Sequence, residues 1–263
     1  FIGLWIFGWN RLPKKVHLAC IWLVSFGTAI SALWILAANS FMQNPVGYAI
    51  ENGRAEMNDF LAILTNDKLL VAYPHTIFAS IATASFFVIG LSALKLLAKK
   101  DVEFFKRSMT IPLILGLIGT VGIALTGHSQ AKYLVDAQPM KMAAAEGIWE
   151  NSADPAPWTV VANIDTENKE TTMKLEIPYL LSYLSYGEFS GSLEGMNSLQ
   201  EQFTAEFGEG NYIPPVKTTF WSFRIMVALG GLMIILALVA LIKHRRGTLE
   251  NSTGLLKWLV SAI

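Results

Sequence analysis

Two side chains inside apolar runs of the sequence, His75 and Met226, could together bind a metal-containing cofactor. His75 lies seven residues after Lys68, about 10 Å along a helix, and Met226 lies nine residues after Lys217, about 13 Å. If both runs are helices that begin at the same membrane face, the two side chains lie at similar depths. A histidine nitrogen and a methionine sulfur can hold a haem iron from both sides, which leaves no ligand position for oxygen and suits electron transfer.

An ordinary structural role is the alternative for both residues. A membrane histidine often contacts a polar group on a neighbouring helix, and methionine is a common filling residue in apolar cores. Arg224 favours the haem interpretation, because a charge within an apolar run costs at least about 2.5 kcal/mol unless it reaches the interface or meets an anion. A haem propionate is such an anion, and extension of the side chain to the interface is the other solution.

Lys141 and Glu146 are the candidates for a second kind of chemistry, the oxidation of a quinol. This reaction removes electrons and releases hydroxyl protons, which a carboxylate can accept. Charged side chains on an exposed helix are more often simply solvated. Five residues on a straight helix also place Lys141 and Glu146 about 140° apart, so both can face one ligand only if the segment bends.

The elements that would position these residues are membrane helices. Hydrophobic residues make up 53% of the 263 residues and charged residues 15%, against about 25% charged residues in soluble proteins. We therefore predict an all-α fold, a polytopic transmembrane helix bundle. A span needs about 20 apolar residues, and the sequence offers four such runs: 16–42, 69–97, 108–127 and 218–242.

Residues 128–216 form a polar insert between the third and fourth spans. This insert holds 13 Asp/Glu and four Lys, so it cannot lie in hydrocarbon. The three turns expected at the opposite membrane face together hold 11 Lys/Arg, which places them in the cytoplasm under the positive-inside rule. The insert is therefore predicted to be an extracytoplasmic loop domain, between transmembrane regions at 1–127 and 217–263.

Both ends of the sequence are apolar but short. Residues 1–9 cannot span a bilayer alone, and residues 255–263 resume an apolar pattern. We interpret them as partial helices and expect an internal piece of a longer protein. Cys20 is the single cysteine, which excludes an intrachain disulfide. The sequence contains no phosphate loop, zinc-ligand spacing or nucleophile elbow, and we expect no nucleic-acid partner.

Several blocks of the sequence resemble subunit I of the cytochrome bd quinol oxidases, over nearly all 263 residues. These blocks are Gly8-Trp-Asn-Arg-Leu12, Lys15-Val-His17, Ser31-Ala-Leu-Trp-Ile-Leu-Ala-Ala-Asn39, Met42-Gln-Asn-Pro-Val-Gly47, His75-Thr76, Lys106-Arg-Ser108, Lys141 with Glu146, and Phe223-Arg-Ile-Met226.

The resemblance implies a role for each candidate residue. His75 and Met226 would be the axial ligands of the low-spin haem b558, and Arg224 an arginine that favours its reduced form. Residues 128–216 resemble the short version of the family's quinol-binding loop, where Lys141 and Glu146 match positions implicated in quinol oxidation. The substrate would be ubiquinol or menaquinol.

For the complete subunit, the resemblance implies a high-spin haem b595 and a haem d, where oxygen is reduced to water. The ligands of these two haems are expected outside this chain, since His17, His128 and His244 match none of their positions. The expected partners are subunit II, a small single-span subunit and the lipid bilayer of a bacterial plasma membrane. The chain would be the electron-entry half of the subunit.

Two rival interpretations follow from the residues alone. A non-catalytic polytopic protein, such as a transporter with an external regulatory loop, would carry no cofactor. A cytochrome b with two histidine ligands would need a second histidine buried within a span, and His75 alone has that position.

Overall fold

The computed structural model describes residues 1–263. Four helices are long and apolar enough to cross a membrane: α2 (Lys14–Gln43), α4 (Asp67–Leu97), α5 (Val102–Ala137) and α9 (Val216–Arg245). They coincide with the four predicted spans, so the helical membrane fold is confirmed. Two short antiparallel hairpins, which the all-α prediction did not contain, are added to it.

The first compact unit comprises Phe1–Ile77. It contains α1 (Ile2–Phe7), α2, the hairpin β1 (Tyr48–Glu51) and β2 (Arg54–Met57), α3 (Phe60–Leu64) and the first part of α4. The ring of His17 joins α2 to α1, because its Nε2 lies 2.7 Å from the carbonyl oxygen of Trp5. This contact gives His17 a structural role at the junction of the two helices.

The second compact unit comprises Phe78–Ile263. Its apolar core is formed by α4, α5, α9 and α10 (Thr253–Ser261). Helices α4 and α5 approach closely at Gly119, where an added Cβ would lie 2.8 Å from the backbone nitrogen of Ala82. A glycine at this position lets the two backbones touch, as small residues do between membrane helices.

Helix α5 is longer than the sequence predicted. It continues through residues 128–137, which were assigned to the polar insert, and ends where Gln138 adopts φ −143°. The next residue is Pro139, and a proline forces the residue before it out of the helical region. No comparable helix breaker occurs between Gly127 and Gln138, which explains the extension.

The α5–α9 connection (residues 138–215) is a folded body with its own core. It contains α6 (Pro139–Glu146), the hairpin β3 (Trp158–Asp165) and β4 (Glu170–Ile177), α7 (Leu180–Tyr186) and α8 (Met196–Phe207). Buried residues of α6, β3 and α8 pack with Val216 and Phe220, in the first turns of α9. The connection therefore rests on the helix that carries Arg224 and Met226.

Candidate functional site

Glu146 is held in place by the way in which α6 ends. It is the last residue of the helix, and Gly147 follows at φ 69°, a left-handed conformation that glycine adopts without strain. The amide of Ile148 donates to the carbonyl oxygen of Ala143 at 2.9 Å, which completes a glycine-terminated helix cap. An added Cβ on Gly147 would lie 2.9 Å from Ile164, so this turn is also closely packed. Glu146 itself is 3% exposed.

The partner of Glu146 is Arg224 on α9. Nη2 of Arg224 lies 2.6 Å from Oε2 of Glu146, and Nη1 lies 3.4 Å from Oε1. Nε of Arg224 donates to the carbonyl oxygen of Thr159 in β3 at 2.7 Å. One guanidinium thus joins three elements: α6, β3 and α9. It is 6% exposed and pairs with a carboxylate of the protein, a partner that neither sequence interpretation of Arg224 considered.

Aromatic rings surround this ion pair. The guanidinium carbon of Arg224 lies 4.6 Å from the ring centre of Phe220, 4.9 Å from that of Trp158 and 5.3 Å from that of Phe223. These distances are within the range of cation–π attraction. Trp158 also forms a side-chain hydrogen bond with Glu146. The rings exclude water from the pair and strengthen the attraction between the two charges.

Burial has the largest effect on Glu146 and raises its pKa above the ordinary value for a glutamate. The positive charge of Arg224 and the hydrogen bonds from Arg224 and Trp158 act in the opposite direction. We assign a net upward shift, because a side chain so fully buried has lost nearly all of its hydration. A carboxyl group with a raised pKa is a stronger proton acceptor than an ordinary glutamate.

Lys141 lies on another side of α6. It is exposed, whereas Met142, Ala143 and Ala144 beside it are buried. The helix is regular from Pro139 to Glu146, so the bend that could turn Lys141 and Glu146 toward one point is absent. The structure therefore brings Glu146 together with Arg224 and does not bring Lys141 to that pair.

Met226 lies on a different face of α9 from Arg224. An offset of two positions along a helix corresponds to a rotation of about 200°, so Met226 is turned away from the α5–α9 connection. Its side chain is 57% exposed, and it lies ten residues, about 15 Å, from the start of α9 at Val216. The thioether sulfur of Met226 is therefore accessible to a ligand.

His75 belongs to the first compact unit. It is half-buried and lies eight residues, about 12 Å, from the start of α4 at Asp67. Pro74 precedes it within the helix. Because proline has no amide hydrogen, α4 lacks one backbone hydrogen bond next to His75.

The residues that surround the ion pair were not predicted from the sequence. Trp158 and Thr159 belong to β3, which was not predicted as a strand, although the stretch Trp158-Thr-Val-Val161 has the β-branched and aromatic composition typical of strands. Phe220 precedes Arg224 by four residues, a spacing that puts both side chains on one helix face. These two patterns could have indicated the aromatic surroundings of Arg224.

Known proteins resemble this chain over its whole length. The sequence profile of the family described as "Cytochrome bd terminal oxidase subunit I" matches residues 1–263. The chain is 58% identical over 263 residues to "Cytochrome bd ubiquinol oxidase subunit 1" of Bacillus subtilis (strain 168), covering 100% of this chain and 56% of that protein. It is 31% identical to "Cytochrome bd-II ubiquinol oxidase subunit 1" of Escherichia coli (strain K12), covering 98% of this chain and 61% of that protein.

A solved structure has the same fold. It is described as "The structure of bd oxidase from Geobacillus thermodenitrificans", with a TM-score of 0.83 and 26% sequence identity, and the match covers 99% of this chain and 58% of that one. The chain thus spans a little over half the length of the relatives that it matches. Because the family profile matches every residue and the four-helix architecture agrees with it, the chain belongs to the cytochrome bd terminal oxidase subunit I family.

Proposed function

We propose that this chain forms the electron-entry region of a quinol oxidase that reduces oxygen to water. In this proposal Glu146 accepts a proton from the quinol, and residues of α4 and α9 would hold a low-spin haem that supplies one-electron transfer. The observation that carries the proposal is the buried pair of Glu146 and Arg224, since it links the connection that would bind quinol to the helix that would bind haem.

The haem in this region would be haem b558, and His75 and Met226 would be the residues that bind its iron. An imidazole nitrogen and a thioether sulfur are one donor set of electron-transferring haems, and the exposed Met226 side chain fits this use. When bound, the haem supplies one-electron transfer. The family resemblance also assigns Arg224 to this haem as an arginine that favours the reduced form, and in the structure its guanidinium pairs with Glu146 on the opposite face of α9 from Met226.

Glu146 and Lys141 are the residues that we assign to quinol oxidation. The raised pKa of Glu146 suits proton acceptance from a quinol hydroxyl. Lys141 is exposed on another side of α6, so we place it at the approach to the site and Glu146 in its interior. The connection would be the short form of the quinol-binding loop, and the quinol would be ubiquinol or menaquinol.

The complete protein would contain more than this chain shows. We propose that haem b595 and haem d lie in the rest of the subunit and that subunit II and a small single-span subunit complete the complex. The membrane would be a bacterial plasma membrane, with residues 128–216 extracytoplasmic and the basic turns in the cytoplasm. A transporter with a regulatory loop, the rival from the sequence, is disfavoured by the family membership.

The haem assignment is tested by Met226→Leu in the full-length complex. Leucine has a similar volume but offers no ligand to iron, so the low-spin haem signal should be lost from the reduced-minus-oxidised spectrum. The matched control is Met233→Leu on the same helix, which should leave that signal unchanged. An unaltered low-spin signal in Met226→Leu would show that Met226 is not a ligand.

The proton-acceptor assignment is tested by Glu146→Gln, which keeps the shape and can still accept a hydrogen bond from Arg224. We expect quinol oxidation to slow at least about 100-fold, in the range of general-base catalysis, with the haem spectrum intact. Glu201→Ala, which removes an exposed carboxylate from α8, is the control and should keep full turnover. Normal turnover in Glu146→Gln would exclude Glu146 as the proton acceptor.

A further inference from the structure

A buried hydrogen-bond donor without an acceptor lies three residues beyond Glu146. The indole Nε1–H of Trp149 has no hydrogen-bond partner, although the residue is only 6% exposed. Buried polar groups in native proteins nearly always have a partner, and a catalytic role or a bound water or ion is among the explanations for an orphan. The ring is held by packing against α6, β3 and α8.

Trp149 and Glu146 line the same groove, which we call the Glu146 groove. Its volume is 490 Å³, and Thr159, Thr171 and Leu181 are among the other residues of its wall. This volume is within the range of small-molecule sites, about 300–1,000 Å³. The wall of one groove thus includes Glu146, whose carboxylate is buried, and Trp149, whose buried N–H has no partner.

The charges around the groove favour a neutral ligand. Its wall includes the carboxylates of Glu146, Glu150, Glu170 and Glu176, against the lysines Lys169 and Lys174. An excess of carboxylates repels a phosphate or another anion. A ring with two hydroxyl groups can instead donate to a carboxylate through one oxygen and accept from an N–H through the other.

We propose that the indole N–H of Trp149 donates a hydrogen bond to one oxygen of the quinol, whose other hydroxyl faces Glu146 in the Glu146 groove. This assignment rests on the proposed quinol oxidation and adds a substrate-binding residue to it. A carboxylate has about four acceptor positions for hydrogen bonds. Arg224 and Trp158 occupy only part of those on Glu146, so the carboxylate can also accept a hydrogen bond from the quinol.

The test is Trp149→Phe in the full-length complex, assayed with a short-chain benzoquinol. Phenylalanine keeps an aromatic ring and removes the N–H, so we expect the KM to rise about 10-fold, the effect of one hydrogen bond, while the haem spectrum stays unchanged. A second readout is the change in apparent Tm when the short-chain quinone binds. The quinone should raise the apparent Tm of the wild type, and it should raise that of Trp149→Phe much less. Trp221→Phe on α9, where the tryptophan is 39% exposed, is the matched control and should behave as the wild type.

The outcomes separate this inference from the proposed function. If Glu146→Gln slows turnover while Trp149→Phe keeps the wild-type KM and quinone-induced Tm shift, the role of Trp149 is wrong and the proposed function stands. If Glu146→Gln turns over normally, the proposed function itself fails. The infrared spectrum of quinone bound to the wild-type complex is a test that needs no variant. A downward shift of one carbonyl band supports the proposed hydrogen bond to one quinone oxygen. Both carbonyl bands at their unbound frequencies would overturn that proposal.

Discussion

At the scale of single residues, the buried pair of Glu146 and Arg224 is the main feature of this chain. Two opposite charges with side-chain exposures of 2% and 5% are tolerable only because they neutralise each other and satisfy their hydrogen bonds. The net stabilisation from such a pair is small, but removal of one partner leaves an uncompensated charge in the interior. The pair therefore fixes how α9, α6 and β3 fit together.

Removal of one charge should destabilise the protein strongly. We expect Arg224→Gln to lower the free energy of unfolding by about 3–5 kcal/mol, the cost of breaking a buried ion pair. The combined variant Arg224→Gln with Glu146→Gln should lose less than the sum of the two single losses, because neither charge is left alone. Denaturant unfolding of the purified protein measures all three values, and strictly additive losses would contradict the coupling.

An exposed ion pair provides the control for this experiment. Nζ of Lys174 lies 3.8 Å from Oε1 of Glu176 on the surface of β4. Lys174→Gln should change the free energy of unfolding by no more than about 1 kcal/mol, as for most exposed pairs.

The Arg224→Gln variant should also become less stable as the pH rises. Arg224 lowers the pKa of Glu146, so its removal raises that pKa further. The folded variant then holds a proton that the unfolded chain has already released. The contribution of protonated Glu146 to the free energy of unfolding is therefore fully present below the ordinary pKa of a glutamate. It is lost as the pH rises through the pKa of Glu146 in the folded variant. Unfolding curves across this pH range measure the slope, and a rise in stability would contradict the direction of the shift.

At the scale of elements, close helix packing and the capped end of α6 position the site. The glycine at position 119 allows α4 and α5 to approach until an added Cβ would touch the backbone of Ala82. At the end of α6, the left-handed Gly147 turns the chain so that Glu146 faces α9. Both positions need a residue without a side chain, because a Cβ at Gly119 or Gly147 would push a neighbouring element away.

Gly119→Ala should destabilise the pairing of α4 with α5. The added methyl group would lie 2.8 Å from the nitrogen of Ala82, so the helices must separate. Overpacking of this kind costs about 1–3 kcal/mol and should lower the apparent Tm of the purified protein. Gly230→Ala on α9 is the control, since no atom lies within 4 Å of its added Cβ. Because alanine favours helix more than glycine does, an equal fall in both variants would contradict the packing explanation.

At the scale of the whole molecule, four spans and a folded connection follow one charge pattern. The three basic turns alternate along the chain with two acidic connections. One membrane span separates each basic turn from the next acidic connection, as expected if the two kinds of connection lie at opposite membrane faces. The large exposed apolar surface of α2, which buries only Cys20, Ala37 and Ser40, is typical of a helix that faces lipid or other membrane helices.

The orientation of the chain can be measured in intact cells of the full-length protein. In a Cys20→Ser background, Asn168→Cys places a thiol in the turn between β3 and β4, and Lys100→Cys places one in a basic turn. A membrane-impermeant thiol reagent should label the first variant and leave the second unlabelled until the cells are opened. The reverse pattern would show that the α5–α9 connection faces the cytoplasm.

The sequence by itself determined the spans, the polar connection and the candidate residues. Apolar runs of about 20 residues are decided locally, since every backbone polar group in hydrocarbon must be paired within its own helix. The candidate residues could be found because a charge or imidazole inside such a run is costly and conspicuous. The extension of α5 to Ala137 and the hairpin of β3 and β4 were missed, because helix ends and short strands depend on weak local signals.

The tertiary structure alone decided which of these residues meet. Glu146 and Arg224 are separated by 78 positions in sequence, and no periodicity relates residues on α6 to residues on α9. Their contact depends on how the connection packs onto α9, with Gly147 turning the chain and Phe220, Trp158 and Thr159 enclosing the pair. Long-range packing of this kind depends on the shape of the folded chain as a whole, so the partner of Arg224 became evident only in the folded structure.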